Sequence, residues 1–239
     1  METCTQPDVT TETSNTVKSG PIVTVVYRDP PDPALMSSVA ERATVRYTEE
    51  SGLAAALRGA DVLFVHDFQI DTIADAWPSA DRLRWVHMAA TGVDTVMFPQ
   101  LRDSDVVVTN TRGVFDGPIA EYVLGQILVF AKDLDGSLRL QQRHLWRHRE
   151  SERVAGATAL IVGTGSIGRA IARLLRAVGM RIRAVGRRPR DGDPDFGAVS
   201  ADLHAELPAA DYVIAIAPLT DTTRHMFDAR AFAAMKPHA

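Results

Sequence analysis

Short apolar runs alternate with helix-like patterns along the first half of the chain. The run Asp61–His66 (DVLFVH) is almost continuously apolar, as in a parallel strand covered on both faces. In Ser51–Arg58, by contrast, Leu53 and Leu57 lie four residues apart, as on one helix face. Similar runs predict further strands at Ile22–Tyr27, Thr44–Thr48, Leu83–Met88 and Val106–Asn110. This alternation predicts right-handed βαβ units, so residues 21–116 are expected to form a flavodoxin-like domain of about five strands.

A longer apolar stripe begins at Asp116–Pro118 (DGP), where proline suits the first helical position. Apolar residues then recur at helical spacing, at Ile119, Val123, Ile127 and Phe130. Glu121 is placed in the first turn, where the helix dipole favours an acid. The pattern predicts one helix running past Gly136 towards Leu145, so that residues 117–150 connect two domains. In its polar end, Trp146 is expected to act as an aromatic anchor.

The segment Thr158–Val162 is a short apolar strand, and Gly163–Gly168 (GTGSIG) follows it directly. A helical pattern comes next, with Gly179 as its expected C-terminal cap, and then a strand at Met180–Val185. The pattern GxGxxG alone is weak evidence, because glycines serve any tight turn. Between the strand and helix of a βαβ unit, however, it is the fingerprint of a dinucleotide site.

Each part of this fingerprint has an expected task. Gly163 permits the tight turn, Gly165 lets backbone amides reach a pyrophosphate, and Gly168 lets the helix pack on the strand. The pyrophosphate would rest on the helix N-terminus, where unpaired N–H groups favour an anion. Residues 151–239 are therefore predicted to form a doubly wound Rossmann domain that binds NAD(P). The expected contacts of the loop are Gly163, Gly165, Ser166, Ile167 and Gly168.

The position that usually selects NAD lacks an acid. About 20 residues past the fingerprint, a carboxylate normally binds the ribose 2′-hydroxyl. Here the strand ends in Gly186–Arg190 (GRRPR), and the guanidinium groups of Arg187 and Arg188 suit a 2′-phosphate. NADP is therefore favoured over NAD. Two alternatives stay open: the arginines form a solvated loop in an arginine-rich chain, or Asp191 or Asp193 reaches the ribose.

Composition mainly excludes classes of function. The net charge of −4 and the scattered arginines predict no nucleic-acid or membrane partner. A single cysteine, Cys4, excludes a disulfide framework and a cysteine-built zinc site. His144 and His148 lie four residues apart, but no third ligand is evident, so no metal is predicted. Residues 1–20 are polar and resemble neither a signal nor a transit peptide, which predicts a disordered tail on a cytoplasmic protein.

Five segments together resemble the D-2-hydroxyacid dehydrogenase family, which includes 2-ketoacid and glyoxylate/hydroxypyruvate reductases. The likeness extends from Ile22 to Ala239. In chain order, the segments are Ala90–Asp94, Thr109–Gly113, Ile119–Tyr122 with Trp146, the glycine loop, and the motifs within Ala210–Pro237 (ADYV, APLTDTT and MKP). The resemblance makes residues 21–116 the substrate domain and 151–239 the NAD(P)-binding domain.

The resemblance also implies roles for single residues. The backbone amides of Gly92 and Val93 would hold a substrate carboxylate, a task that suits amide donors facing an anion. Residues matching Ala217, Pro218 and Thr223 line the cofactor near its adenosine and pyrophosphate, and Thr111 lies near the nicotinamide. For both threonines, turn or cap chemistry is the structural alternative.

The family's catalytic arginine, glutamate and histidine follow the Met235–Pro237 segment, and this chain stops at Ala239 before all three. The arginine binds and polarises the ketoacid, while the histidine passes the proton and the glutamate raises its pKa. The chain is therefore expected to be partial, with an incomplete Rossmann sheet. His66 and His87, at strand ends, are possible substitutes, although packed or solvated histidines explain them as well.

The predicted function is hydride transfer between NAD(P)H and a small 2-keto or 2-hydroxy acid. Two alternatives remain: a cofactor-binding, catalytically inactive protein of the corepressor type, and a non-functional fragment. The resemblance further suggests a homodimer through the helix Pro118–Phe130, although a core-facing helix explains its apolar stripe equally well.

Overall fold

A computed structural model of the protein describes residues 20–239, so nearly all of the predicted disordered tail lies outside the described residues. Contacts divide the chain into two compact units. The first extends to His87 and includes Asp103–Thr109, and the second comprises Met88–Arg102 and Asn110–Ala239. Across residues 20–239, no helix combines the length and the apolar character needed to cross a membrane.

The first unit is built on the five strands expected from the sequence. They are β1 (Ile22–Tyr27), β2 (Thr44–Glu49), β3 (Val62–Val65), β4 (Trp85–Met88) and β5 (Val107–Asn110). Their order is β2-β1-β3-β4-β5, and β1 pairs in parallel with β2 and β3. This order is that of flavodoxin-like sheets and confirms the predicted architecture. The short helices are α1 (Ser37–Ala40), α2 (Leu53–Leu57), α3 (Ile73–Ala76) and, in the second unit, α4 (Pro99–Arg102).

The run Asp61–His66 was expected to form a strand covered on both faces, and this expectation is wrong within residues 20–239. The two faces of the sheet are not equally covered at β3. In β3, Leu63 and Val65 are fully buried, whereas Val62 and Phe64 are half-buried. In the neighbouring strand β4, burial also alternates, and Trp85 is exposed while Val86 and Met88 are buried. A period of two in burial indicates one packed and one more accessible face.

The predicted long helix is two helices, α5 (Asp116–Ala131) and α6 (Leu134–Gln142). Asp133 separates the two helices and has a left-handed backbone conformation, with φ of +44°. Its side chain caps α6 by accepting a hydrogen bond from the Gly136 amide at 3.1 Å. The acid in the first turn of α5 is Asp116 rather than Glu121. The side chain of Trp146 is 91% exposed, so its prediction as an anchor is wrong for this chain.

The second unit contains the centre of a doubly wound sheet. Strands β6 (Thr158–Val162) and β7 (Arg181–Val185) flank α7 (Ser166–Ala177), and β8 (Arg190–Asp193) and β9 (Gly197–Val199) form an antiparallel hairpin. Then follow α8 (Leu203–Glu206), β10 (Tyr212–Ala215) and α9 (Ala229–Ala234). The order is β10-β6-β7, all parallel, with one further parallel bridge between Val185 and Ser200.

Strand β6 is the buried centre of this sheet, because all five of its residues are buried. Ala159 and Ile161 pack on one face against α7, in a cluster that includes Ile171 and Leu175. Leu160 and Val162 point to the opposite face, where they pack in a cluster with α8. The strand therefore delivers the glycine loop from a rigid, fully packed element.

Candidate functional site

The glycine loop turns sharply at Gly163, directly after β6. Gly163 has a φ of +123°, which side-chain-bearing residues rarely adopt. A Cβ atom at this position would lie 2.6 Å from the Ala217 backbone nitrogen. The turn is also tied to β7, because the Gly163 amide donates to the Val185 carbonyl at 2.9 Å. Only glycine fits a turn that is this tight and this closely packed.

Gly165 and Gly168 occupy opposite environments. A Cβ atom at Gly165 would meet nothing within 4 Å, so the space above this backbone is open. A Cβ atom at Gly168 would collide with the Gly163 carbonyl oxygen and lie 3.4 Å from Cγ2 of Ile161. Gly168 therefore lets α7 pack on β6, whereas Gly165 leaves room for a ligand to approach the backbone.

Helix α7 begins at Ser166, and its first amides point out of the helix without intrahelical acceptors. Gly165, the residue before the helix, has no side chain to cap it. The Ser166 hydroxyl donates to Oδ1 of Asp116 at 3.1 Å, so it is directed towards the start of α5. The amides of Ser166 and Ile167 are thus the groups available to an anion at this helix end.

A cavity of about 730 Å³ lies beside the glycine loop. Its lining brings together six residues that the sequence assigned to the cofactor site: Gly163, Gly165, Arg187, Ala217, Pro218 and Thr223. Ser166, Ile167, Gly168, Arg188 and Thr111 are not part of this lining. Among the residues of the described chain that form the cavity wall, Arg187 is the single charged one. The cavity therefore has a positive side chain and no carboxylate.

Two of the predicted contact residues use their hydroxyl groups within their own loops. Thr223 Oγ1 donates to the Pro218 carbonyl at 2.6 Å and accepts from the Thr220 amide at 2.8 Å. Thr111 Oγ1 donates to the Met88 carbonyl at 3.2 Å. These bonds are the turn chemistry that the sequence left as an alternative.

The predicted substrate segment is held by side chains that sequence reasoning missed. Asn110 Nδ2 donates to the Thr91 carbonyl at 2.7 Å, and Thr91 Oγ1 donates to the Thr111 carbonyl at 3.1 Å. In the described part of the chain, the amides of Gly92 and Val93 have no hydrogen-bond acceptor. Adjacent unpaired amides of this kind form an anion-binding nest.

The acids after β7 are not equivalent. Asp193 is buried, and its carboxylate accepts hydrogen bonds from Arg169 at 2.9 and 3.0 Å and from Arg190 at 2.8 Å. Hydrogen bonding to Arg169 holds the pKa of Asp193 far below its usual range, so it is ionised and fully engaged. Asp191 is exposed and lies outside the cavity lining. The structure thus argues against Asp193 as a ligand of the ribose.

The two candidate substitute histidines belong to a ladder of aromatic rings on one face of the first sheet. The ring of Phe64 stacks on His87 at 5.5 Å and on His66 at 6.1 Å between centroids. Nδ1 of His87 lies 2.8 Å from the Thr109 hydroxyl, which also accepts from Trp85 Nε1 at 2.7 Å. Both histidines are packed, as the structural alternative expected. Within residues 20–239, no group of three or more potential ligands is arranged to hold a metal ion.

Comparison with known proteins identifies a matching family model and several relatives of this chain. Residues 124–239 match the family model "D-isomer specific 2-hydroxyacid dehydrogenase, NAD binding domain". A glyoxylate reductase of Thermococcus onnurineus is 31% identical over 176 residues, which cover 70% of this chain and 53% of that protein. A hydroxypyruvate reductase of Thermotoga maritima is 26% identical over 204 residues, covering 84% of this chain and 66% of that protein. The chain therefore spans between half and two thirds of the length of these relatives.

A solved structure agrees with these matches. The D-isomer specific 2-hydroxyacid dehydrogenase family protein of Aeromonas salmonicida subsp. salmonicida A449 is 27% identical, with a TM-score of 0.77. It covers 92% of this chain, which in turn covers 71% of that structure. Sequence and structure together confirm the resemblance to the D-2-hydroxyacid dehydrogenase family, and residues 124–239 carry the match to its NAD-binding domain.

Proposed function

We propose that the protein is an oxidoreductase that prefers NADP and transfers hydride between the cofactor and a small 2-keto or 2-hydroxy acid. The observation that carries the proposal is the open space above Gly165, at the uncapped start of α7 and inside a cavity without an acid. The amides of this helix end attract a pyrophosphate. Arg187 on the cavity wall, with Arg188 beside it, favours a 2′-phosphate over a 2′-hydroxyl.

The chain's own residues would bind and orient the reactants. The glycine loop holds the pyrophosphate, and Ala217, Pro218 and Thr223 also line the cavity. The unpaired amides of Gly92 and Val93 hold the substrate carboxylate. The bound dinucleotide supplies the hydride, which the chain's side chains cannot do.

The substrate class follows from the relatives and from the amide pair. The two curated relatives are named for glyoxylate and hydroxypyruvate, and both of these compounds are 2-keto acids with one carboxylate. The chain matches only part of each relative. The family's catalytic arginine, glutamate and histidine, of which the histidine passes the proton, therefore remain a prediction. A cytoplasmic location also remains a prediction.

A homodimer through Pro118–Phe130 is part of the proposal. The side chains of Tyr122 and Phe130 are 66% and 74% exposed, and this exposed aromatic surface on α5 supports it. Sedimentation of wild type and of Phe130→Glu tests it, since a charged side chain would dissociate a dimer that buries this face.

Fluorescence titration with NADPH and NADH, followed by assays with glyoxylate and hydroxypyruvate, tests the main proposal. Arg187→Ala should weaken NADPH binding about tenfold, the value of one charge-assisted hydrogen bond, and leave NADH binding unchanged. Arg230→Ala, at an exposed arginine of α9 outside the cavity, is the matched control. Turnover supports the reductase, whereas tight binding without turnover supports the inactive, corepressor-like alternative. Absence of any dinucleotide binding would refute both.

A further inference from the structure

A row of three arginines on α7 faces the hairpin β8–β9. Arg169, Arg173 and Arg176 are spaced by four and three residues, which places them on one helix face. Arg169 forms a two-pronged pair with Asp193 at 2.9 and 3.0 Å, and its Nη1 also donates to Asp195 at 2.7 Å. Arg173 binds both oxygens of Asp195, at 2.6 and 3.0 Å. The hairpin is thus fastened to the helix that begins at the glycine loop.

Asp193 is the centre of this arrangement. Besides Arg169, its carboxylate accepts from Arg190 Nε and from the amides of Asp195 and Phe196, at 2.8, 3.0 and 3.2 Å. The side chain is only 3% exposed. The guanidinium of Arg169 also lies 5.3 Å from the centre of the Phe196 ring. We call the group Arg169, Arg190 and Asp193 the Asp193 lock.

The lock lies at one end of the loop that carries Arg187 and Arg188. At the other end, the Gly186 amide donates to the Ser200 carbonyl at 2.9 Å. Between these anchors, the exposed side chains of Arg187 and Arg188 have no hydrogen-bond or ion-pair partner among the residues that the structure describes. The loop is fixed at both ends while its two guanidinium groups remain available to a ligand.

We propose that the Asp193 lock is a positioning device that sets the preference for a 2′-phosphate. This inference rests on the proposed function. The lock acts in two ways. It holds the loop of Arg187 and Arg188 in place before the ligand arrives, which lowers the entropy lost on binding. It also keeps the Asp193 carboxylate turned inward, where that charge neither bonds a ribose hydroxyl nor repels a phosphate.

Adenosine 2′,5′-bisphosphate and AMP are suitable probes, because they differ only in the 2′-phosphate and need no catalysis. Calorimetric titration of the full chain measures both affinities. Asp193→Asn should lower the affinity for the bisphosphate about tenfold and leave that for AMP unchanged. Arg190→Gln provides a milder break of the same lock if the first variant does not fold. Arg183→Gln is the control, because it breaks the ion pair between Arg183 of β7 and Glu206 of α8, and neither residue lines the cavity.

The ratio of the two affinities decides the inference. A ratio that falls in the lock variants and stays constant in Arg183→Gln supports it. Lock variants that lose thermal stability but keep the wild-type ratio show a merely structural role and overturn it. Wild type that binds both probes equally overturns it as well, because no preference then exists to be set. Wild type that binds neither probe refutes the proposed function itself, which separates that failure from the others.

Discussion

Alanine at the three glycines of the loop should separate folding from cofactor binding. Gly168→Ala places a methyl group well inside 3.0 Å of the Gly163 carbonyl oxygen, a distance that real Cβ contacts essentially never reach. That neighbour is backbone, so α7 or the turn must shift. Overpacking of this kind costs about 1–3 kcal/mol of unfolding free energy. Gly163→Ala should be destabilised as well, because it adds strain at a φ of +123°.

Gly165→Ala should behave in the opposite way. Its backbone, with φ of −76° and ψ of −170°, suits any residue, and the new methyl group meets no atom within 4 Å. The free energy of unfolding should stay constant or rise by about 0.4–1 kcal/mol, because the unfolded chain loses freedom. If the pyrophosphate occupies the open space, however, the methyl group displaces it. We expect NADPH affinity to fall at least about tenfold, the equivalent of one lost hydrogen bond to a charged group.

Urea unfolding and NADPH titration of the same preparations provide the two measurements. Gly125→Ala is the control, since this glycine lies within α5 and its added methyl group also meets nothing within 4 Å. It should gain stability from helix propensity, about 1 kcal/mol, and bind NADPH as wild type does. Wild-type affinity in Gly165→Ala would refute the position assigned to the pyrophosphate. Unchanged stability in Gly168→Ala would refute the packing argument.

Three further outcomes follow from the same contacts. Folding lowers the pKa of Asp193, so its ionised side chain contributes fully to the free energy of unfolding above the unfolded pKa of about 3.9. This contribution is lost progressively as the pH falls from there towards the lower pKa of the folded state. The melting temperature of wild type should therefore fall more steeply between pH 5 and pH 3 than that of Asp193→Asn. Trp146→Ala should change the unfolding free energy by less than about 0.5 kcal/mol, as measured in urea, because the side chain is exposed. Asp61→Ala should cost about 1–3 kcal/mol in the same assay, because it removes the acceptor of the Ile22 amide; an unaffected midpoint would contradict this.

The sheet could be predicted from the sequence because strand burial leaves a local signal. The runs that became β1 and β6 are mostly apolar over their own length, and the glycine loop lies at its fixed place between strand and helix. The helix break at Asp133 left no such signal. Leu134 and Leu138 continue the apolar pattern through it, while the break depends on a left-handed backbone and a cap formed by a single side chain. Periodicity does not register either feature.

The site could be predicted only in part, for a related reason. The three glycines have local roles, and the motif contains them all. The role of Asp193 depends on Arg169, which is 24 residues earlier in the chain and on another element. Sequence reasoning therefore left Asp193 open as a ribose ligand, although the spacing of Arg169, Arg173 and Arg176 was a visible sign of a paired helix face. The sequence pattern of one segment does not show which distant residue its side chains contact.

Both units contain a short sequence motif that occurs twice in the chain. The segments Leu57–Asp61 (LRGAD) and Leu207–Asp211 (LPAAD) share the spacing Leu-x-x-Ala-Asp. In each, the leucine and the alanine are fully buried, and the alanine amide donates to the leucine carbonyl, at 3.0 and 3.1 Å. Each aspartate then accepts from the first amide of the strand beside it, at 2.9 Å for Ile22 and 2.7 Å for Thr158.

The aspartate of this motif fixes where the neighbouring strand starts, and in each sheet it lies at the edge formed by the amino ends of the strands. Asp61 and Asp211 lie directly before β3 and β10, at the amino ends of parallel strands. The glycine loop and Arg187 lie at the carboxyl ends of β6 and β7, where open α/β sheets bind their ligands. Within the second unit, Asp211 is therefore separated from the binding edge by the length of a strand. An anionic cofactor at that edge would meet backbone amides and Arg187, while the carboxylate that fixes the start of β6 lies at the other end.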